Sequence, residues 1–424
     1  MESLTDDLWT MVLARLPIKS FTCFKLVCKQ WKSIVESPFF RNLFRFFHQI
    51  SPSSSWSLMC SYGIASEMVG LYQCDTWGLK RSLGSFIESF LTDKYHKSIY
   101  GRVRVKAYSD VGLILIHIKS TLMEKGSLYV ANPVSRECVE IILDVLPIGF
   151  ETDEYLWEWG LVTRTENGHL LGYKIVLFDK KLGDRKLSCL IYSSETGLWS
   201  LETLHLPYSL YFNCLEYPIS LNGNLHWVGQ NMDHQELVLS MDTYATSTGS
   251  VRCRVTPFPD LEKTTKFTRA CTTCQGFLMY MNIVDGSKLC SWRLQSEGWQ
   301  LISEISPGSI LTRFDYVPMT INPVDAKTAY FWSTERESLL SINLHNGKFV
   351  IHRQCEGRDE SSDGPIMIPV NDSKAMISLK SRIESTYIII KRKRFVPFVL
   401  PQWLHRIPNT VSITEPTTTE TLHG

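Results

Sequence analysis

A short strand pattern recurs along most of this chain, and it limits the possible folds more than any other feature. Gly112 to His117, Gly172 to Leu177, Gly223 to Val228, Gly276 to Met281 and Ala329 to Trp332 open similar units. Successive starts lie about 50–60 residues apart, the period of a propeller blade. A second apolar run follows each opener, as in Tyr129 to Asn132, Leu190 to Ser193, Val238 to Asp242, Leu289 to Leu294 and Leu340 to Asn343. Turn residues then follow, such as Thr196-Gly197 and Asn346-Gly347. Each unit therefore reads as one antiparallel sheet with tight turns. Such a sheet is apolar on both faces and cannot stand alone; stacking units radially covers the faces and leaves few edges. Residues 57–74 form a degenerate further unit. The expectation is an all-β propeller of about six blades over residues 57–408, with an open β-sandwich pair as the rival architecture.

The first 45 residues follow a different pattern. Leu8, Val12 and Leu16 recur at i, i+4, i+8 and make one helical stripe; Trp9 and Leu13 make a second beside it. Leu16-Pro17 stops that helix. Ser20 is the expected N-cap of a second helix through Cys28, on which Phe21, Phe24, Val27 and Cys28 share a face. Lys29 to Glu36 reads as a third helix carrying Trp31, Ile34 and Val35, and Phe39 to Phe47 as one last helical turn. A unit of about forty residues rarely builds a sufficient core alone, so these apolar side chains need a partner.

Leu4, Leu8, Leu16-Pro17 with Lys19-Ser20, Val27-Cys28-Lys29, Trp31 and the close Ser37-Pro38-Phe39-Phe40 together resemble the F-box. The chain departs from that family at Leu4-Thr5, where Leu-Pro is usual; Thr5 is expected to cap the helix instead. The resemblance implies docking on a Skp-like adaptor through Leu4, Leu8, Leu16, Pro17, Val27, Cys28 and Trp31, with a cullin reached through the adaptor. Further along, Asn132-Pro133 with Arg136, Tyr173-Lys174, Tyr192 with Thr196-Gly197 and Trp199, Asn222-Gly223 with His226-Trp227, and Leu400-Pro401 with Trp403-Leu404 resemble the kelch-like F-box-associated domains of plant F-box proteins. The double glycine of true kelch blades is missing. The implied function is substrate recognition for an SCF-type ubiquitin ligase, an adaptor and not an enzyme. A propeller-type hydrolase or lyase with a helical cap and an F-box scaffold outside the ligase are the alternatives.

Formal net charge is +1, so bulk electrostatics favour neither nucleic acid nor an anionic membrane. The longest apolar run, Val111 to Ile118, is too short to span a bilayer. The 12 cysteines are scattered and read as reduced thiols of the nucleus and/or cytoplasm. Cys271 and Cys274 form a lone C-x-x-C, and a structural zinc site wants two such pairs. No catalytic or cofactor motif is present, so no cofactor and no metal is expected. Tyr155, Trp157 and Trp159, interleaved with Glu151, Asp153, Glu154 and Glu158, read as an aromatic loop for target recognition, and Tyr211 and Phe212, with Tyr208 and Tyr217, as a second patch. Burial in the core is the alternative for both. Lys391 to Arg394 suits a nuclear import signal or a charged strand edge equally. Residues 46–56 are read as a linker and 409–424, polar and rich in Thr, as a disordered tail.

Overall fold

The computed structural model describes residues 5–24, 26–49, 56–60, 66–70, 102–119, 127–133, 135–142, 157–166, 169–179, 185–207, 209–212, 218–233, 235–245, 252–259, 268–284, 288–306, 316–333, 338–352, 395–399, 403 and 405–408. Leu4, Tyr155, Tyr208, Tyr217, Lys391 to Arg394 and the 409–424 tail lie outside them.

Four helices open the chain: α1 (Asp6–Leu13), α2 (Ile18–Phe24), α3 (Lys29–Glu36) and α4 (Pro38–Gln49). Asp6 and Asp7 occupy the first turn of α1, where carboxylates oppose the helix dipole. Thr5 sits at the N-cap in extended conformation, but its side chain makes no capping hydrogen bond, contrary to expectation. Ser20 lies inside α2 and does not cap it, and α2 stops at Phe24, four residues short of Cys28. Cys28 instead caps α3: its Sγ accepts from the Trp31 N–H at 3.5 Å. The expected last turn is a twelve-residue helix. Pro38 takes its first position, where a missing N–H costs nothing, and the Ser37 hydroxyl accepts from Phe40 N–H at 3.1 Å.

The described strands form six antiparallel sheets. Four are four-stranded. They comprise β3 (Arg102–Tyr108) to β6 (Glu137–Ile141) through β4 (Ile114–Lys119) and β5 (Ser127–Asn132), and β7 (Trp157–Glu166) to β10 (Leu198–His205) through β8 (His169–Asp179) and β9 (Lys186–Ser193). The third runs from β16 (Thr268–Cys274) to β19 (Gly298–Ile305) through β17 (Phe277–Val284) and β18 (Lys288–Gln295). The fourth runs from β20 (Tyr316–Ile321) to β23 (Phe349–His352) through β21 (Thr328–Ser333) and β22 (Ser338–Asn343). A five-stranded sheet joins β11 (Leu210–Phe212), β12 (Ile219–Leu221), β13 (Asn224–Asn231), β14 (Glu236–Asp242) and β15 (Arg252–Pro257). The last sheet pairs β1 (Trp56–Cys60) with β2 (Ser66–Gly70) on one side and β24 (Phe395–Val399) on the other. One sheet thus ties the two ends of the β domain together, and the residues read as a degenerate unit supply β1 and β2.

The inner strands of neighbouring sheets meet around a ring: β3 with β7, β7 with β12, β12 with β16, β16 with β20, and β20 with β24. Tyr108 on Phe398, ring centroids 5.5 Å apart, links β24 back to β3. Apolar layers fill the gaps between sheets. Leu113, Leu128 and Leu161 sit in one gap, Phe178 and Trp227 in the next, Val238 and Tyr280 in the third, and Met281 and Phe331 in the fourth. Trp56 against Tyr330, at 5.4 Å, bridges the fifth. The architecture is a β-propeller.

The sequence openers turn out to be second strands and their followers third strands. Both sit mid-sheet with both faces covered, so they read as nearly continuous apolar runs. Two of the inner hairpins, just before the openers, use a tight turn. Asn222 and Gly223 have φ of +49° and +79°, and Gln275 and Gly276 +49° and +78°, the left-handed pair a type I′ turn requires.

The helices are not a detached unit. Leu13, Ala14, Ile18, Ile34, Val35, Phe40 and Phe44 share one buried cluster with Met59, Val105, Ile114, Ile116, Val396, Phe398 and Trp403. Phe40 and Phe44, one turn apart on α4, meet the edge of the Trp403 indole at 6.2 and 5.4 Å. Among the described residues no helix is long and apolar enough to cross a membrane.

Candidate functional site

With one face of the helices spent on the propeller, the other face remains open. Leu8 and Val12 are 51% and 49% exposed, while Leu13 is 1% exposed. In the connection after α2, Leu26 and Val27 stand out at 89% and 64%. Their backbone is held by Leu26 N–H to Cys23 O at 3.1 Å and Val27 N–H to Phe24 O at 3.0 Å, so the apolar tips are presented by an ordered turn. Cys23 and Cys28 are exposed beside them. Gln30 donates to Asp6 Oδ1 at 2.6 Å and fastens α3 to α1. Trp31 is half-buried against Trp9, 4.7 Å between centroids, and edge-on to Phe24 at 5.2 Å. Exposed apolar side chains on an ordered frame make this face a candidate protein-binding surface.

The propeller carries a different surface. At the end where the inner hairpins turn, Asp110 Oδ1 accepts from Thr163 Oγ1 at 2.8 Å and Ser220 Oγ at 3.4 Å, and Oδ2 from Asn222 N–H at 2.8 Å. Asn222 Nδ2 donates to Gly276 O at 3.0 Å, and Gln275 Nε2 to Val324 O at 2.8 Å. Turn is bonded to turn around this rim. Outside it, Arg164 pairs with Glu195 at 3.0 Å and the Lys174 ammonium lies 4.4 Å from the Tyr244 ring centroid.

The F-box domain family matches residues 1–43, and the family described as F-box protein At3g26010-like, beta-propeller matches residues 54–409. The chain belongs to the At3g26010-like F-box proteins. It is 49% identical to F-box protein At3g28330 of Arabidopsis thaliana over 420 residues, 97% of each chain. It is 32% identical to the putative F-box/kelch-repeat protein At1g15680 of the same plant, over 97% of this chain and 96% of that one. A solved WD40 domain of SCAP from fission yeast aligns over 60% of this chain and 58% of its own, at 9% identity and a TM-score of 0.34.

Within this F-box protein the expected docking residues divide. Leu8, Val27 and Cys28 face outward. Leu16, Pro17 and Trp31 are half-buried, with Leu16 and Trp31 packed against the shared cluster. Met11, 37% exposed, and Leu26 were missed; Met11 lies three residues after Leu8, and Leu26 beside Val27.

The F-box protein's expected recognition residues fare differently. Trp159 is a correction. It belongs to strand β7, not a loop, and is 9% exposed in the layer between two sheets, 5.5 Å from the His117 ring. A ring packed there cannot reach a target. Glu158 beside it is buried as well. Trp157 begins β7, and Tyr211 and Phe212 form β11 opposite Gln230 and Gly229. Cys271 and Cys274 lie three apart on β16, so they point to opposite faces and into different apolar layers. Cys274 donates to Asn322 O at 3.0 Å, and burial pushes its thiol up to about 12. His226 is a packed strand residue with Nδ1 2.8 Å from Ser240 Oγ, and burial lowers its pKa to about 4.

Proposed function

We propose that this F-box protein is the substrate-recognition subunit of an SCF-type E3 ubiquitin ligase. The observation that carries the reading is the outward set Leu8, Met11, Val12, Leu26 and Val27, left bare by helices whose opposite face is buried on the propeller. Water does not favour such a patch on an isolated chain, and a Skp-like adaptor covering roughly 800 Å² of it suffices for a stable complex. The adaptor brings the cullin. The propeller, taken as residues 57–408, holds the target, with Trp157, Tyr155, Tyr211 and Phe212 as proposed contacts. Because the docking unit, residues 1–45, shares a core with the propeller, the target sits at a fixed distance from the transfer machinery, which supplies proximity in trans. The chain itself is proposed to be non-catalytic and to work in the nucleus and/or cytoplasm.

The test is reconstitution of the full chain with adaptor and cullin, comparing wild type with Val27→Asp and Leu8→Asp. Placing a charge at a desolvated contact costs about 2 kcal/mol or more, roughly 30-fold in affinity. Wild type recruits both partners and the variants lose both while keeping their thermal midpoint. Equal binding by wild type and both variants overturns the docking face. Adaptor binding without cullin recruitment favours a scaffold outside the ligase.

A further inference from the structure

Basic side chains converge where α4 meets the propeller. Arg41 of α4 lies over the Trp403 indole, Cζ 5.3 Å from the ring centroid. Its Nε and Nη1 are buried and have no hydrogen-bond partner among the described residues. His405, two residues past Trp403, is 7% exposed. The charges that bear on its imidazole come from Arg41, His169 and Arg45, and all of them lower its pKa, in the same direction as burial. Arg45 is one turn along α4, and His169, at the start of β8, is exposed and opens the cluster to solvent.

The cation–π contact with Trp403 spends no N–H donor, and the Nε and Nη1 donors are left over. Guanidinium nitrogens buried with unspent donors are costly unless an anion meets them. We propose that this seam binds a phosphate-bearing anion, with Arg41 as its principal ligand and His405 and His169 beside it. The planar fork of Arg41 matches two phosphate oxygens, and the imidazoles supply further donors once the anion favours their protonation. The ligands come from α4, from β8 and from the segment after β24, so one anion would staple the docking helices to the propeller. The proposal stands apart from the adaptor-docking reading, which uses the opposite face of the helices.

The full-length chain is titrated with inorganic phosphate at fixed ionic strength and neutral pH, with chloride as control, by calorimetry and by thermal midpoint. Saturable phosphate binding with a raised midpoint is expected in the wild type. Arg41→Gln is expected to weaken it at least ~10-fold, the scale of a lost bidentate contact. Arg41→Lys keeps the charge but loses the fork and is expected to fall between the two. His169→Gln, at an exposed position that the fold does not depend on, is expected to weaken binding about 2–3-fold. Adaptor binding by these variants is expected to be unchanged. Absence of saturable binding overturns the proposal, and so does equal affinity in wild type, Arg41→Lys and His169→Gln, a comparison that stands even if Arg41→Gln fails to fold.

Discussion

Val12 and Leu13 are neighbours on α1, yet 49% of one and 1% of the other is exposed. The same division runs through the rest of the helical unit. Val27 stands open, while Ile18, Val35, Phe40 and Phe44 are sealed. The inner face is part of the propeller's own core, and the outer face resembles half of a core awaiting its complement. At the hairpin rim of the propeller Asp110 accepts from Thr163 and Asn222, Asn222 donates to Gly276 O and Gln275 to Val324 O. A surface prepared for a partner leaves its binding capacity unspent, whereas this rim has spent much of its own on holding neighbouring sheets in place.

The largest effect belongs to the inner face. Phe44 is fully buried against Trp403 and His48, and Phe44→Ala should cost about 3–5 kcal/mol of stability. Chemical denaturation should show helices and propeller losing cooperativity, because their common core is opened. An unshifted midpoint would mean that Phe44 does not hold the helices to the propeller. Trp31 lies between the two faces and sharpens the contrast. Its contacts with Trp9 and Phe24 predict a stability loss for Trp31→Ala, and its docking role a further loss of about 2 kcal/mol in adaptor affinity. If affinity per folded molecule is unchanged, Trp31 belongs to the inner face only.

The strand runs that the sequence displayed most clearly are those covered on both sides. Gly276 to Met281 and Gly223 to Val228 could be read because mid-sheet strands are apolar throughout. The inner strands β3 and β16 escaped notice. Arg102 to Tyr108 alternates charged with apolar residues and Thr268 to Cys274 mixes Thr and Arg with Ala and Cys, so neither reads as a continuous apolar run. Thr272 and Thr320 bond to each other there at 2.8 Å, a pairing invisible to periodicity. Trp159 was misplaced for a related reason: acidic neighbours made a strand look like a loop, although Glu158 and Trp159 alternate across β7. The helical stripes were legible, and their direction became apparent only from packing. Nothing local says that Leu13 faces the propeller while Val12 does not, because that choice is made by residues near position 400.

Acidification weakens the propeller by a smaller amount. His226 and His405 are held neutral, with pKa values lowered to about 4, in both cases chiefly by burial. The unfolded chain binds these protons near pH 6.5, so between about pH 6.5 and 4 it holds more protons than the native state. Stability is complete above that window and falls as pH drops through it, by about 2 kcal/mol per histidine at pH 5. His226→Gln should flatten part of the decline in thermal midpoint. His405 sits where α4 meets the propeller and His226 lies within a sheet, so His405→Gln and His226→Gln reveal whether acid loosens the junction or the blade first. Equal pH profiles in wild type and both variants would remove these imidazoles as the cause.

The smallest effect lies in a single turn. Gly223 has φ of +79°, and a Cβ there would meet Tyr244 Cδ2 at 3.7 Å and Thr163 O at 3.9 Å, ordinary contacts. Gly223→Ala therefore adds backbone strain without a clash, about 1 kcal/mol. Asparagine tolerates the left-handed region better than alanine, so Gly223→Asn should recover part of the loss. Gly160 provides the contrast: a Cβ there would come within 2.7 Å of Leu225 Cδ1, and nothing in its backbone demands glycine. Gly160→Ala should be costly for lack of space between two sheets, and Leu225→Ala should relieve it. Rescue of both glycine variants by the same second change would mean that a single mechanism governs the turn and the sheet interior, contrary to the geometry.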